Sequence, residues 1–561
     1  LHLQIPRNHR NRLMAARCLD LTDDAATDPA VAGAKAAGLA RARAAGLPVL
    51  PGVVVPAAES QPVVDAALAA GRGGRPRMAA MEVEPDGRLL AELQDRVSAL
   101  EPPFIVRSSS PLEADGTWSG AFSSFHGITL ADLGPAVRGC WGSAFSVPVV
   151  DRAERTGTPA QRLRLAVLVQ PEMQPDVGGT AVLARDGTVR ITATDGPLRP
   201  LMAGHVEGRT ATVSIGGAVH SAEPAEHVLL RRVAELCRRV AELLDHHLIE
   251  WAAVAGEVTL LQSVRHTPVA AGSRKGPVDG VFATDAALRI AGVTRRFAGR
   301  LAEELVLPWA VGSRAVPDLP PAGGGGDPAA ALAAARAQAG HLVTVLWGGS
   351  PRAAAARADQ VLRQLRGGDP RGAVEAIERL PSPPADEAAA VMSHLATVRD
   401  DLRTRRAIDS DAEFWRLSGA DVDRALAGDP PVSDRRLGVD RWEPFLCSVV
   451  TAAGRRCVGA PAVAGAGAGP AYVLDDIRTA RAPDGRCVLV ASQPEPALAP
   501  LLWNAAGLVT RAGSTAAHLI EFAHSLGVPT VVGCDLPDLA AGESPLVAVD
   551  GASGVVSLAW L

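Results

Sequence analysis

The sequence predicts a multidomain α/β protein, and three observations carry that prediction. The chain has 561 residues, enough for about three or four domains of roughly 100–200 residues. Hydrophobic residues make up 47% of it. That is enough to bury several cores, and it excludes global disorder. Strand-like apolar runs alternate with helical patterns toward both ends, while the middle reads as helix after helix.

In chain order, Ala32–Val55 reads as a helix of small residues, a Gly-Leu-Pro turn and an apolar strand. Pro102–Val106 is a short buried strand that runs into Arg107-Ser108-Ser109-Ser110. Glu226–His246 is amphipathic, with Val228, Leu229, Val233, Leu236, Val240, Leu243 and Leu244 at helical spacing. Two apolar strands follow, Leu248–Val254 and Val258–Val264, and Ala255-Gly256-Glu257 between them signals a hairpin. Ala271–Pro277 marks a boundary. Residues 280–450 read mainly as helices, interrupted by a Pro/Gly linker at 316–328. Its run Gly323–Gly326 reads as a spacer, because no strand leads into it as a phosphate loop would need. A second Ala/Gly/Pro stretch, 459–470, reads as a hinge into the last domain. There, strands at 471–474, 487–492, 507–510, 529–533, 545–550 and 554–558 accompany a helix over Thr515–Leu526.

Composition narrows the function classes. A net charge of −5 argues against a dedicated nucleic-acid or anionic-membrane binder. The seven cysteines are scattered, with no C-x-x-C, so neither a disulfide framework nor a zinc ribbon is expected. No uncharged apolar run stands out as a membrane span, and Leu1–Leu13 lacks the apolar core of a signal peptide. These residues read as an upstream extension before Met14, and a cytoplasmic location is expected. Only two lysines, Lys35 and Lys275, stand against fifty-four arginines, which singles out Lys35 or reflects chance.

Three places carry candidate chemistry. The strand end Arg107-Ser108-Ser109-Ser110, followed by Glu113, offers a planar cation and hydroxyl donors to phosphate oxygens; a plain polar strand end is the other reading. If the hairpin turn is centred on Gly256, Glu250 and Gln262 stand directly cross-strand. Their oxygens suit Mg²⁺, or form a surface hydrogen-bonded pair. In Arg511–Cys534, Ser514 or Thr515 can cap a helix and place His518 in its first turn. The positive helix end disfavours the imidazolium, leaving a neutral nucleophile, though a histidine at a helix start is often only structural.

Taken together, these segments resemble the phosphoenolpyruvate synthase / pyruvate phosphate dikinase group of ATP-dependent phosphotransferases, closest in architecture to the rifampin phosphotransferases. Ala32–Val55 resembles Gly-Gly-Lys-x-x-x-Leu…Gly-Leu-Pro-Val-Pro-x-Gly, with Lys35 on the ATP-binding lysine. Val106–Phe125 resembles Val-Arg-Ser-Ser-Ala-x-x-Glu…Phe-Ala-Gly, with Arg107 on the nucleotide-binding arginine and Glu113 on the glutamate. Val169-Gln170…Gly178-Gly179 resembles the next strand and glycine turn. Ile249-Glu250-Trp251-Ala252…Leu261-Gln262 resembles the Mg-ATP pair of Ile-Glu-Trp-Ala…Leu-Gln-x-Arg-Pro, where Val264 replaces the arginine and Arg265 stands beside it. Arg511–Cys534 resembles the swivelling phosphohistidine domain, with His518 on the phosphorylated histidine. Val398–Leu426 is similar to the Arg-rich helix that precedes that domain in rifampin-type enzymes. Other departures are Arg199 for an acidic residue near the phosphates, Ala517 for a hydroxyl or thiol residue, and His524 for an arginine.

The resemblance implies an ATP-grasp-like domain over 17–270, a mainly helical acceptor-binding domain over 271–456 and a small swivelling α/β domain over 457–561. ATP and Mg²⁺ would be held by Lys35, Arg107, Glu113, Gln170, Glu250, Gln262 and Arg265, with Glu250 and Gln262 on the metal. His518 would attack the β-phosphorus to give AMP and, after loss of phosphate, phosphohistidine. The acceptor would be a small organic hydroxyl or carboxylate. Trp309, Trp347, Phe414, Trp415, Trp442 and Phe445 are candidates to line its pocket, or are ordinary helix packing. His205, His246, His247 and His524 are candidate bases. A repurposed homologue that keeps the shell without consuming ATP is the alternative.

Overall fold

The computed structural model describes residues 17–71, 74–115, 118, 120–265, 285–297, 299–321, 326–366, 370–429, 442–474, 486–539 and 544–560. The expected extension 1–13, the boundary 271–277 and most of the glycine spacer lie outside the described residues. The chain divides into two compact units. The described residues of the first run over 17–265, 493–500 and 512–526.

Two antiparallel sheets build the first unit. Strands β1 (Leu19–Asp20), β2 (Val53–Val55), β3 (Phe104–Ser109), β4 (Ser124–Ile128) and β5 (Ala166–Pro171) form one, in the order β1-β2-β5-β3-β4. Strands β6 (Val177–Leu183), β7 (Val189–Asp195), β8 (Arg209–Val213), β9 (Val219–His220), β10 (Leu248–Val254) and β11 (Glu257–Val264) form the other, in the order β11-β10-β6-β7-β8-β9. Strand β5 shows why the first sheet is central. Its alternate residues feed two different cores, Val167 and Val169 into one, Ala166 and Leu168 into the other. A strand buried on both faces reads as a continuous apolar run.

Helix His227–Leu244 buries Leu230, Val233, Ala234, Leu236, Cys237 and Val240. Val228 and Leu243, counted in its apolar stripe from the sequence, are exposed and sit off that face. The Gly178-Gly179 pair is not a turn. Both residues lie inside β6, and a Cβ on Gly179 would come within 2.2 Å of the Thr192 carbonyl oxygen on the paired strand.

The second unit carries ten helices among its described residues, from Asp285–Arg296 to Glu443–Ala453, and one mixed sheet. Trp309, Phe414, Trp415, Trp442 and Phe445 are buried in the helical core, and Trp347 packs against it. The packing reading therefore accounts for five of these side chains, and Trp347 is half-buried. Helix Pro328–Trp347 is long and apolar enough to cross a membrane by length and composition. Its sequence is interrupted by Arg336 and His341. Arg336 is bonded to both oxygens of Asp423, at 2.9 and 2.8 Å, while Ala331, Leu332, Ala335 and Leu342 face the helical core.

The sheet of this unit comprises β12 (Arg455–Val458), β13 (Ala460–Val463), β14 (Ala466–Leu474), β15 (Cys487–Ala491), β16 (Ala505–Thr510), β17 (Thr530–Val532), β18 (Leu546–Asp550) and β19 (Val555–Ala559). Its order is β12-β19-β18-β14-β15-β16-β17-β13. The expected hinge at 459–470 is overturned. Ala460–Val463 pairs with Thr530–Val532, and Ala466–Pro470 pairs with Leu546–Asp550. Small residues here serve close strand packing: a Cβ on Gly467 would lie 2.0 Å from the Ala506 carbonyl oxygen.

Candidate functional site

The first cation is set by a break in a helix. Helix Pro29–Ala44 starts with Asp28 accepting from the Ala30 amide at 2.8 Å, and Pro29 occupies its first position. Gly33 then leaves helical geometry at φ 73° and ψ 166°. This turns the Ala34 amide onto the Ser110 carbonyl at 3.0 Å and the Ala36 amide onto the Ser109 hydroxyl at 3.1 Å. A Cβ at Gly33 would sit 2.1 Å from the Ser109 carbonyl oxygen, so only glycine fits. The helix is thereby seated on the end of β3. Lys35 forms an ion pair with Glu113, the two side chains being 13% and 5% exposed. Glu113 also accepts from the Ser110 amide at 3.0 Å.

The second cation bridges the two sheets of the unit. Arg107, inside β3, donates to the Leu261 carbonyl and to Gln262 Oε1, both at 2.8 Å, and lies 3.7 Å from Glu250. Glu250 and Gln262 are directly paired across the hairpin, as the sequence predicts. The route to that register differs. The turn lies between Ala255 (φ 49°) and Gly256 (φ 79°), so Val254 faces Glu257. A bulge between Glu250 and Trp251 absorbs Leu261 and brings Glu250 opposite Gln262.

A small open cleft lies here, lined among others by Lys35, Glu113, Gln262, Arg41, His246 and Arg265. Val264 also lines it. Arg265 is 59% exposed and ion-paired with Asp245. His246 was one of several histidines the sequence could not rank. It bonds the Ser263 hydroxyl at 2.9 Å, and burial, with Arg41 and Arg265 nearby, holds its ring below the usual histidine range. Two expected residues sit elsewhere. Gln170 is 3% exposed and donates to the Leu50 carbonyl at 3.2 Å, bracing the turn before β2. Arg199 is exposed, in the short helix Arg199–Met202. His205 is also exposed.

His518 is the first residue of helix His518–Leu526, three positions later than the expected start. Ser514 makes a local turn to the Ala516 amide at 3.0 Å and delays the helix. The ring is 28% exposed on its side chain, and Glu521 lies 3.9 Å from Nδ1. The expected depression of its pKa by the helix end is outweighed. Burial opposes the charge, but Glu521, one turn along the helix, and Glu250 outweigh it and raise the pKa above the ordinary histidine value; Lys35 acts the other way. Both Glu250 and Lys35 are thus within electrostatic reach of His518. Gly120 (φ 64°) packs against the ring: a Cβ there would lie 3.0 Å from His518 Cβ and 3.2 Å from Cγ. Among the described residues, no cluster of three or more His, Cys, Asp or Glu side chains could hold a metal.

Three comparisons bear on this arrangement. Residues 483–554 match the family model of the PEP-utilising enzyme mobile domain. That match includes His518. The phosphoenolpyruvate synthase of Pseudomonas aeruginosa (strain UCBPP-PA14) is 32% identical over 93 residues, 17% of this chain and 11% of that protein. This chain therefore spans about a tenth of that relative's length. Among solved structures, the crystal structure of PH1788 from Pyrococcus horikoshii Ot3 aligns with 37% of this chain and 96% of its own, at 12% identity and a TM-score of 0.18. At that score the alignment carries no structural argument. The mobile-domain match falls on the segment whose residues resemble the phosphohistidine domain, and both sequence matches point toward phosphoenolpyruvate synthase-type proteins.

Proposed function

We propose that this protein is an ATP-dependent phosphotransferase that carries a phosphoryl group on His518 to a small organic hydroxyl or carboxylate, giving AMP and phosphate. One observation carries the reading. The histidine of the mobile-domain segment stands within reach of the charges of Glu250 and Lys35, in the unit that also holds Arg107 and Gln262.

The residues have parts that suit this chemistry. Lys35 and Arg107 supply cations for phosphate oxygens, with Glu113 and Gln262 as the partners they hold meanwhile. Glu250 and Gln262 fit Mg²⁺ as a carboxylate and an amide oxygen side by side; Gln262 Oε1 keeps a second lone pair beside its bond to Arg107. A bound Mg²⁺ would neutralise phosphate charge there. Glu521 favours the proton on Nδ1, which leaves Nε2 as the nucleophile. As the N–P bond to the β-phosphorus forms, the bond from that phosphorus to the AMP oxygen breaks and AMP leaves; water then cleaves the terminal P–O–P bond, releasing phosphate, and the phosphoryl group left on His518 passes to the acceptor oxygen as the N–P bond breaks. The acceptor assignment rests on the helical second unit, whose residues resemble those of rifampin-type enzymes over Val398–Leu426.

A second reading keeps the shell without ATP consumption. It is favoured by Lys35 and Arg107 both being engaged within the chain already. The test is chromatography of nucleotides after incubating wild type and His518→Ala with Mg-ATP, with intact-mass analysis alongside. AMP, phosphate and a mass gain lost in His518→Ala support the proposal. ATP that stays intact, with no mass gain in wild type, sinks it in favour of the second reading.

A further inference from the structure

We propose that Arg152 is a positioning residue for His518: its buried guanidinium, stacked on Phe522 and Trp118, is a cationic latch that seats helix His518–Leu526. This rests on the reading of His518 as the phosphoryl carrier, but its main test does not.

Arg152 lies on helix Val147–Thr156 and is 7% exposed. Its guanidinium carbon is 4.2 Å from the centroid of the Phe522 ring and 5.9 Å from that of Trp118. Both rings are buried in turn, Phe522 at 1% and Trp118 at 3%. Phe522 follows His518 by one helical turn, so the two project from one face of the helix. Trp118 precedes by two residues the Gly120 whose backbone packs on the His518 ring. The contacts therefore close a loop. One short segment touches Arg152 through Trp118 and His518 through Gly120, and Arg152 reaches the same helix through Phe522.

An arginine is an expensive choice for such a position. Leucine would fill the space without taking a charge out of water. Burial pushes the Arg152 pKa down to about 10, which still leaves it charged near neutrality. A buried cation against ring faces is directional, and it weakens steeply once water reaches it. An apolar contact at the same place slips more gradually. That difference suits a helix that must be held in one place and then released.

The test is amide hydrogen exchange over residues 518–526 in the full chain, by mass spectrometry, for wild type, Arg152→Met and Arg152→Lys. Arg152→Met keeps an unbranched apolar stem and removes the guanidinium with its charge. Its exchange in this helix should rise about tenfold, with the sheets of the first unit unchanged. Arg152→Lys, charged but unable to stack as a plane, should fall between. Where His518 is phosphorylated by Mg-ATP, Arg152→Met should slow that step about tenfold with the KM for ATP unchanged. Wild-type exchange rates in a folded Arg152→Met overturn the latch. Should Arg152→Met not fold, Phe522→Leu removes the ring instead; the same rise is expected, and no rise overturns the proposal. Faster exchange in a protein that never consumes ATP leaves the latch standing and removes the phosphotransferase reading.

Discussion

Glu521 gives His518 its acid–base character more than the helix end does, and this has a sign that can be measured. The ring titrates above the ordinary histidine value because Glu521 and Glu250 outweigh the burial that opposes its charge. Phosphorylation needs the unprotonated Nε2, so its rate should rise with pH through that raised value. Glu521→Gln should move the acid limb to lower pH, because the neutral ring then appears earlier; an NMR titration of the His518 ring reads the same shift without turnover. Linkage runs the other way for stability. The His518–Glu521 interaction contributes fully below the unfolded pKa, roughly 6.5, and is lost as pH rises through the folded value. The Lys35–Glu113 pair makes a second prediction. Lys35→Met strands a nearly buried carboxylate and should cost about 3–5 kcal/mol in denaturant unfolding. Lys35→Met combined with Glu113→Gln should cost less than the sum of the two single changes, because no charge is left unpaired.

Gly33 shows what an element owes to one backbone angle. Gly33→Ala must move the helix start off the Ser109 carbonyl, and should cost at least about 1–3 kcal/mol from the strained φ alone. Nucleotide binding by calorimetry should weaken with it, since Lys35 rides on the same turn. At this scale the sequence was readable where periodicity or turn chemistry decides. The hairpin, the amphipathic helix His227–Leu244, the strand into Arg107 and six of the eight strands of the last sheet were legible. Elements that depend on distant partners were not. Ala460–Val463 looks like a hinge until Thr530–Val532 pairs with it. Gly178-Gly179 looks like a turn until β7 approaches. The site was legible in its charged residues, Lys35, Arg107, Glu250, Gln262 and His518. Its supports were not. Glu521 could have been found from its i, i+3 spacing to His518. Nothing local marks Gly120 or Arg152, whose roles come from contacts with a helix nearly four hundred residues away in the chain.

Across the whole molecule, all seven cysteines are free and buried. Burial pushes the thiols of Cys18, Cys237, Cys447, Cys487 and Cys534 up to about 12. Titration with a thiol reagent at pH 8 should therefore find them slow in the native protein. All seven should react at once in denaturant, and the native rate should report opening of the two units. Rapid native labelling of several thiols would contradict this burial. The eight-stranded sheet adds a matter of timing. Its two edge strands, β12 and β13, come first in the chain, yet β12 pairs with β19 and β13 with β17. Arg455 meets its partner Leu558 only after about a hundred further residues have been made. At ribosomal rates of about 5–20 residues per second, that is a wait of roughly 5–20 s with bare strand edges. Synthesis of this chain thus passes through an interval in which a chaperone that shields β12 and β13 would raise yield, and in which slower translation would lower it.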